Sequence, residues 1–177
     1  MTNRRDFLTA FRKPLEKGVD KREYIVRPPY GRDMIAFERD CVACDTKACF
    51  TACSEEERII VIRADGTPML NFSKKGCTFC EACALACDSS VLSLEHTHTH
   101  DRINARFIIS PEACVAHHGV ICFACKEPCI DDAILFNGLF NPVIDMERCT
   151  ACGYCLARCP TKAIAYEGLD ISHEEVA

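Results

Sequence analysis

Short apolar runs recur along this 177-residue chain, each following a group of cysteines. Arg58-Ile59-Ile60-Val61-Ile62-Arg63 leads through Ala64-Asp65-Gly66-Thr67-Pro68 into Met69-Leu70-Asn71-Phe72. Val91-Leu92-Ser93-Leu94-Glu95 leads through a polar, His-rich loop into Ala105-Arg106-Phe107-Ile108-Ile109. Ala133-Ile134-Leu135-Phe136-Asn137-Gly138 leads into Asn141-Pro142-Val143-Ile144-Asp145. Each is a β-rich run, a turn signal and a second run, which predicts a hairpin. Ala163-Ile164-Ala165-Tyr166 follows the last cysteines alone, as half a hairpin. Cys83-Ala84-Leu85-Ala86-Cys87 and Cys155-Leu156-Ala157-Arg158-Cys159 favour helix, and an i, i+4 pair shares a helix face. The unit is thus cysteine loop, short helix with the fourth cysteine in it, strand, turn, strand. Residues 1–36 carry Pro14, Pro28 and Pro29, are polar, and are expected to be a partly disordered extension. The expected division is an extension over 1–36, one unit over 37–95, a His-rich hairpin loop over 96–104 and a second unit over 105–177.

The cysteines make this pattern chemical. Sixteen fall into four groups of four: Cys41, Cys44, Cys49, Cys53; Cys77, Cys80, Cys83, Cys87; Cys114, Cys122, Cys125, Cys129; and Cys149, Cys152, Cys155, Cys159. The groups begin 36, 37 and 35 residues apart, so one unit is used four times. The fourth group is a complete C-x2-C-x2-C-x3-C-P run, the pattern of [4Fe–4S] ferredoxins, in which the last cysteine ligates the other cluster of a pair. The second group has the same spacing with Asp88 after it; the first and third have longer internal loops but also end C-x3-C. Zinc sites use two separated C-x2-4-C pairs, whereas here three or four cysteines crowd one turn. The expected fold class is therefore α+β: a polyferredoxin of four bacterial-type half-repeats, holding four [4Fe–4S] clusters in pairs on all sixteen cysteines. Adjacent pairing, first group with second and third with fourth, and nested pairing, first with fourth and second with third, are both compatible with the spacing.

Charge and composition narrow the function. The net charge of −5 includes no run long enough for a nucleic-acid arm, and no stretch of 18 apolar residues spans a membrane. Asn3-Arg4-Arg5-Asp6-Phe7-Leu8 looks like a twin-arginine export motif, but the segment after it is charged and broken by Pro14. The expectation is a cytoplasmic protein whose cysteines serve metal rather than disulfides. No nucleophile motif, phosphate loop or dinucleotide fingerprint is present, which points to an electron carrier rather than an enzyme. The tract Glu95-His96-Thr97-His98-Thr99-His100-Asp101 reads as a solvated loop; His117 and His118 read as loop surface, or as donors to a cluster sulfide.

Two passages go further: the long third-group loop from Cys114 to Cys129, and Arg4-Arg5-Asp6-Phe7-Leu8 joined to Arg27-Pro28-Pro29-Tyr30. With the length and the closing C-P run, they resemble the NapF family, ferredoxin-type accessory proteins of periplasmic nitrate reductase systems. The resemblance implies a cytoplasmic protein that binds the precursor of the catalytic subunit NapA and assists its maturation before export. A permanent electron-transfer subunit of a membrane oxidoreductase and a free-standing polyferredoxin are the competing readings.

Overall fold

A computed structural model describes residues 24–54, 58–96 and 102–170. The arginine pair, His98 and His100 lie outside these residues. No described helix is long and apolar enough to cross a membrane.

The fold is a series of cysteine loops separated by small antiparallel pairs. Asp33 caps α1 (Met34–Ala36), its Oδ1 accepting from the Ala36 amide at 2.6 Å, and α1 continues as a π-helical turn, Phe37–Cys41. That wider turn delivers Cys41, the first cysteine; π-turns are rare and often found at functional sites. Then come α2 (Ala48–Ala52), β1 (Ile60–Ile62), β2 (Pro68–Leu70) and α3 (Ala82–Leu85). The C-terminal half contributes β3 (Ala105–Ile109), a 3-10 turn (Val115–His118), β4 (Ile134–Asn137), β5 (Phe140–Ile144), α4 (Tyr154–Arg158) and β6 (Ile164–Gly168).

Two of the expected hairpins form: β1 with β2, registering Ile60 on Leu70, and β4 with β5, registering Ile134 on Ile144. The third does not. β3 pairs with β6 instead, Ala105 opposite Gly168 through Ile109 opposite Ile164, so the lone terminal run finds its partner there. The reason is burial. Val91 and Leu92 are consecutive and both buried, which a one-sided strand does not allow, and Leu92 makes only an isolated bridge to Gly31. Along β3, Ala105 and Phe107 alternate inward, and Phe107 stacks on Tyr166 of β6 at 5.5 Å. β3 thus forms no hairpin with residues 91–95; residues 97–101 of the expected His-rich loop lie outside the described residues.

Helix placement is also shifted. The third cysteine, not the fourth, lies within α2, α3 and α4, and Cys53 and Cys159 are C-caps. The third group has no such helix; residues 124–128 turn instead.

Residues 24–36 do not trail as an extension. Val26, Arg27, Tyr30 and Ala36 are buried, the Leu70 amide donates to the Val26 carbonyl at 2.9 Å, and the Ser93 amide donates to the Tyr30 carbonyl at 2.9 Å. This segment flanks the first two cysteine groups much as β3 and β6 flank the last two.

The halves meet at an aromatic triad. Phe72, fully buried after β2, packs edge-on against Phe107 at 5.4 Å and Tyr166 at 5.1 Å. Beside it, the Cys77 amide donates to the Cys152 carbonyl at 2.7 Å. The approach needs glycine: a Cβ on Gly76 would lie 2.6 Å from that carbonyl oxygen. Phe72→Ala removes the shared ring, at a cost of about 3–5 kcal/mol for a buried phenylalanine. Thermal unfolding followed by circular dichroism is expected to show a lowered Tm; an unchanged Tm would contradict this junction.

Candidate iron-sulfur cluster sites

All sixteen cysteines are free thiols, and they line four cavities, four to each. The first cavity gathers Cys41, Cys44 and Cys49 with Cys87. The second gathers Cys77, Cys80 and Cys83 with Cys53. The third gathers Cys114, Cys122 and Cys125 with Cys159, and the fourth gathers Cys149, Cys152 and Cys155 with Cys129. In every case three thiols come from one group and the fourth is the closing cysteine of the adjacent group. Three of the cavities are close in size, about 350, 330 and 320 Å³; the second, open toward exposed Cys80, is about 840 Å³.

The loops that carry these thiols repeat in backbone detail. Phe79 and Ala151, each two residues after the first cysteine of its group, have φ of 54° and 59°. Glu81 and Gly153, each following the second cysteine, have φ of 64° and 84°. Ser90, Asp132 and Lys162, each three residues after a closing cysteine, have φ of 53°, 51° and 53°. Left-handed conformations at non-glycine residues are costly, so their recurrence marks a shape the loops must hold. Successive turns of this kind point N–H groups into a concavity, an arrangement suited to anionic sulfur. Amides reach the thiol sulfurs directly: Phe79 donates to Cys77 at 3.4 Å, Leu92 to Cys87 at 3.4 Å, Ala133 to Cys129 at 3.3 Å and Ala163 to Cys159 at 3.2 Å.

A hydroxyl two residues after a cysteine adds a polar contact in three places. Thr46 Oγ1 lies 3.5 Å from Cys44 Sγ, Ser89 Oγ 3.5 Å from Cys87 Sγ, and Thr161 Oγ1 3.7 Å from Cys159 Sγ. These residues were legible as a repeated C-x-S/T spacing, which the cysteine arithmetic passes over. The histidines of the third loop do not line its cavity: His117 Nε2 bonds the Pro142 carbonyl at 3.1 Å and His118 Nε2 the Glu112 carbonyl at 3.0 Å.

Burial sets the thiols' proton affinity. It pushes Cys83 and Cys155 up to about 12, with neighbouring thiols adding to the effect. Burial likewise pushes Cys41, Cys49, Cys77 and Cys125 up to about 11. Cys44 moves the other way, because Thr46 stabilises its thiolate. Without metal most of these groups are neutral at pH 7, and a metal must displace their protons to bind.

The residues fit a cubane cluster. Each cavity offers sulfur donors from one tight loop and one distant cysteine, with amides turned toward them.

Known proteins resemble this chain in sequence. The family described as "4Fe-4S binding domain" matches residues 142–165, across β5 and the fourth cysteine group. The "Ferredoxin-type protein NapF" of Escherichia coli K12 is 36% identical over 94% of this chain and 95% of its own length. The chain belongs to the NapF family of ferredoxin-type proteins. The NapF protein of Haemophilus influenzae is 28% identical over 81% of the chain and 80% of its own length. "Ferredoxin-type protein NapG" of E. coli K12 is 28% identical over 83% of the chain and 71% of its own length. Iron–sulfur binding of the [4Fe–4S] type and an electron-transfer or accessory role follow for this NapF-family chain.

The metal-free protein offers a direct check on this electrostatic order. At pH 8, iodoacetamide is expected to modify Cys44 well before Cys83 and Cys155, read by peptide mass spectrometry. Equal labelling rates would contradict it.

Proposed function

We propose that this chain holds four [4Fe–4S] clusters, one in each thiol-lined cavity, and works as a cytoplasmic electron carrier in the maturation of the periplasmic nitrate reductase catalytic subunit NapA. The observation that carries the cluster reading is the cross-supply of cysteines: every cavity draws three thiols from one group and its fourth from the neighbour. This favours adjacent pairing, first group with second and third with fourth. The nitrate reductase context rests on kinship with NapF proteins.

Each bound cluster would accept and release one electron. The chain's own residues hold and insulate these centres. Leu92, Ile134 and Ile164 are buried and line the first, fourth and third cavities, keeping water from the sites, and the loop amides supply hydrogen bonds that stabilise added negative charge. The bond from the Cys77 amide to the Cys152 carbonyl brings a second-cavity cysteine against a fourth-cavity one. The four sites therefore form a row: first, second, fourth, third. A row suits passage of electrons better than storage of separable clusters, and favours electron delivery over cluster donation to the partner.

Cross-supply is tested by Cys87→Ala. Iron and acid-labile sulfide are expected to fall by about one quarter, with loss of the first-group cluster although Cys41, Cys44 and Cys49 are intact. Loss of the second-group cluster instead would overturn the pairing, and colourless protein before substitution would overturn the cluster reading. For the biological role, tagged protein is expected to co-purify with the cytoplasmic NapA precursor; recovery of only the mature periplasmic form would refute it.

A further inference from the structure

Arg27, one of the residues that carried the resemblance, is 1% exposed and takes no part in any thiol cavity. Its Nη1 donates to Thr67 Oγ1 and to the Pro68 carbonyl, both at 2.8 Å. Its guanidinium carbon lies 5.0 Å from the ring centroid of fully buried Phe37. Its Nε is buried without a hydrogen-bond partner, and it forms no ion pair among the described residues. Arginine stays protonated in proteins, so this is a buried charge neutralised only partly by its surroundings.

The position relates it to one cavity. Pro68, whose carbonyl it binds, lines the first cavity with Cys41, and Cys41 ends the π-turn that begins at Phe37. The other charges nearby are less effective. Asp65 is drawn to Arg63 at 2.8 Å and accepts from Thr67, with its side chain 45% exposed. Glu38 also faces Arg27, and Asp88, at the cavity rim, accepts from Thr46. Lys47, half-buried and lining the cavity, adds a positive charge of its own by donating to the Cys41 carbonyl at 2.6 Å, a charge that Arg27→Gln leaves in place. Exposed charges are screened by water and salt; a buried one is screened much less.

We propose that Arg27 is a positioning residue for electrons: its buried positive charge raises the reduction potential of the cluster held by Cys41, Cys44, Cys49 and Cys87. This rests on the four-cluster reading above. Reduction adds one negative charge to a cluster, and a fixed cation in a poorly screened interior favours that state. Because the first cavity stands at one end of the row, Arg27 biases electrons toward that end.

The test is an anaerobic redox titration of the cluster-loaded full chain, followed by EPR, with the first-cavity signal assigned by its absence in Cys44→Ala. At the potential where that cluster is half reduced in the parent, Arg27→Gln is expected to lower its reduced-to-oxidised ratio at least fivefold. The other three stay within twofold, and Arg27→Lys, which keeps the charge, stays within twofold throughout. An unchanged ratio in Arg27→Gln, an equal shift in all clusters, or a shift in Arg27→Lys as large as in Arg27→Gln would overturn the proposal. Should Arg27→Gln lose the first cluster, Asp65→Asn decides. Removing that counter-charge is expected to raise the ratio at least twofold; an unchanged or lower ratio overturns it. If the parent lacks four cubane signals, the four-cluster reading fails first, an outcome distinct from four intact signals that ignore Arg27.

Discussion

The arrangement depends on one constraint: no cysteine group completes its own cavity. The closing thiol of each C-x3-C run reaches into the site of the adjacent group, so the chain between two groups must return on itself. β1–β2 and β4–β5 are those returns, each a compact hairpin between two cysteine loops. The short helices serve the same end. They begin just after a left-handed residue, carry the third thiol inward, and stop where the closing thiol must leave for the neighbouring site. Small antiparallel pairs of this kind are marginal alone. Shared ligation would fasten each pair of loops from both sides, adding to the stability that the hydrophobic core and the aromatic triad supply.

That constraint orders the rest of the molecule. Flanking strands close each half: β3 with β6 in one, and the Gly31–Leu92 bridge in the other. The first half has the isolated bridge in place of a sheet, and the segment over 24–36 fills the space with buried Val26, Tyr30 and Ala36. Phe72, Phe107 and Tyr166 then seal the two halves, and Gly76 allows the backbones to touch beside Cys77 and Cys152. On the proposed reading, four sites in a row with a buried cation behind one end would give electrons a preferred direction.

Much of the site was legible because cysteine spacing is short-range and chemically specific. The four groups, the closing C-P run and the two hairpins with compact turn signals, Asp65-Gly66 and Asn137-Gly138, are local features. What the chain concealed was non-local. β3 reads as the partner of Val91–Glu95 because the two are close in sequence, but Phe107 gains more against Tyr166 than across a polar connection. Arg27-Pro28-Pro29-Tyr30 reads as a polar, proline-broken extension, yet Tyr30 donates to the Phe79 carbonyl at 3.0 Å and Arg27 is buried. Left-handed Phe79, Glu81 and Lys162 are conformations that residue type argues against, imposed by loops that must surround a bulky centre.

The central claim is that four thiols around each cavity grip a cubane iron–sulfur centre. Mössbauer spectroscopy of anaerobically prepared, iron-57-labelled protein tests it most directly. The account predicts four irons for every cavity, all in the diamagnetic signature of oxidised [4Fe–4S] clusters. Iron in mononuclear or two-iron form, or thiol cavities filled by zinc without sulfide, would contradict it.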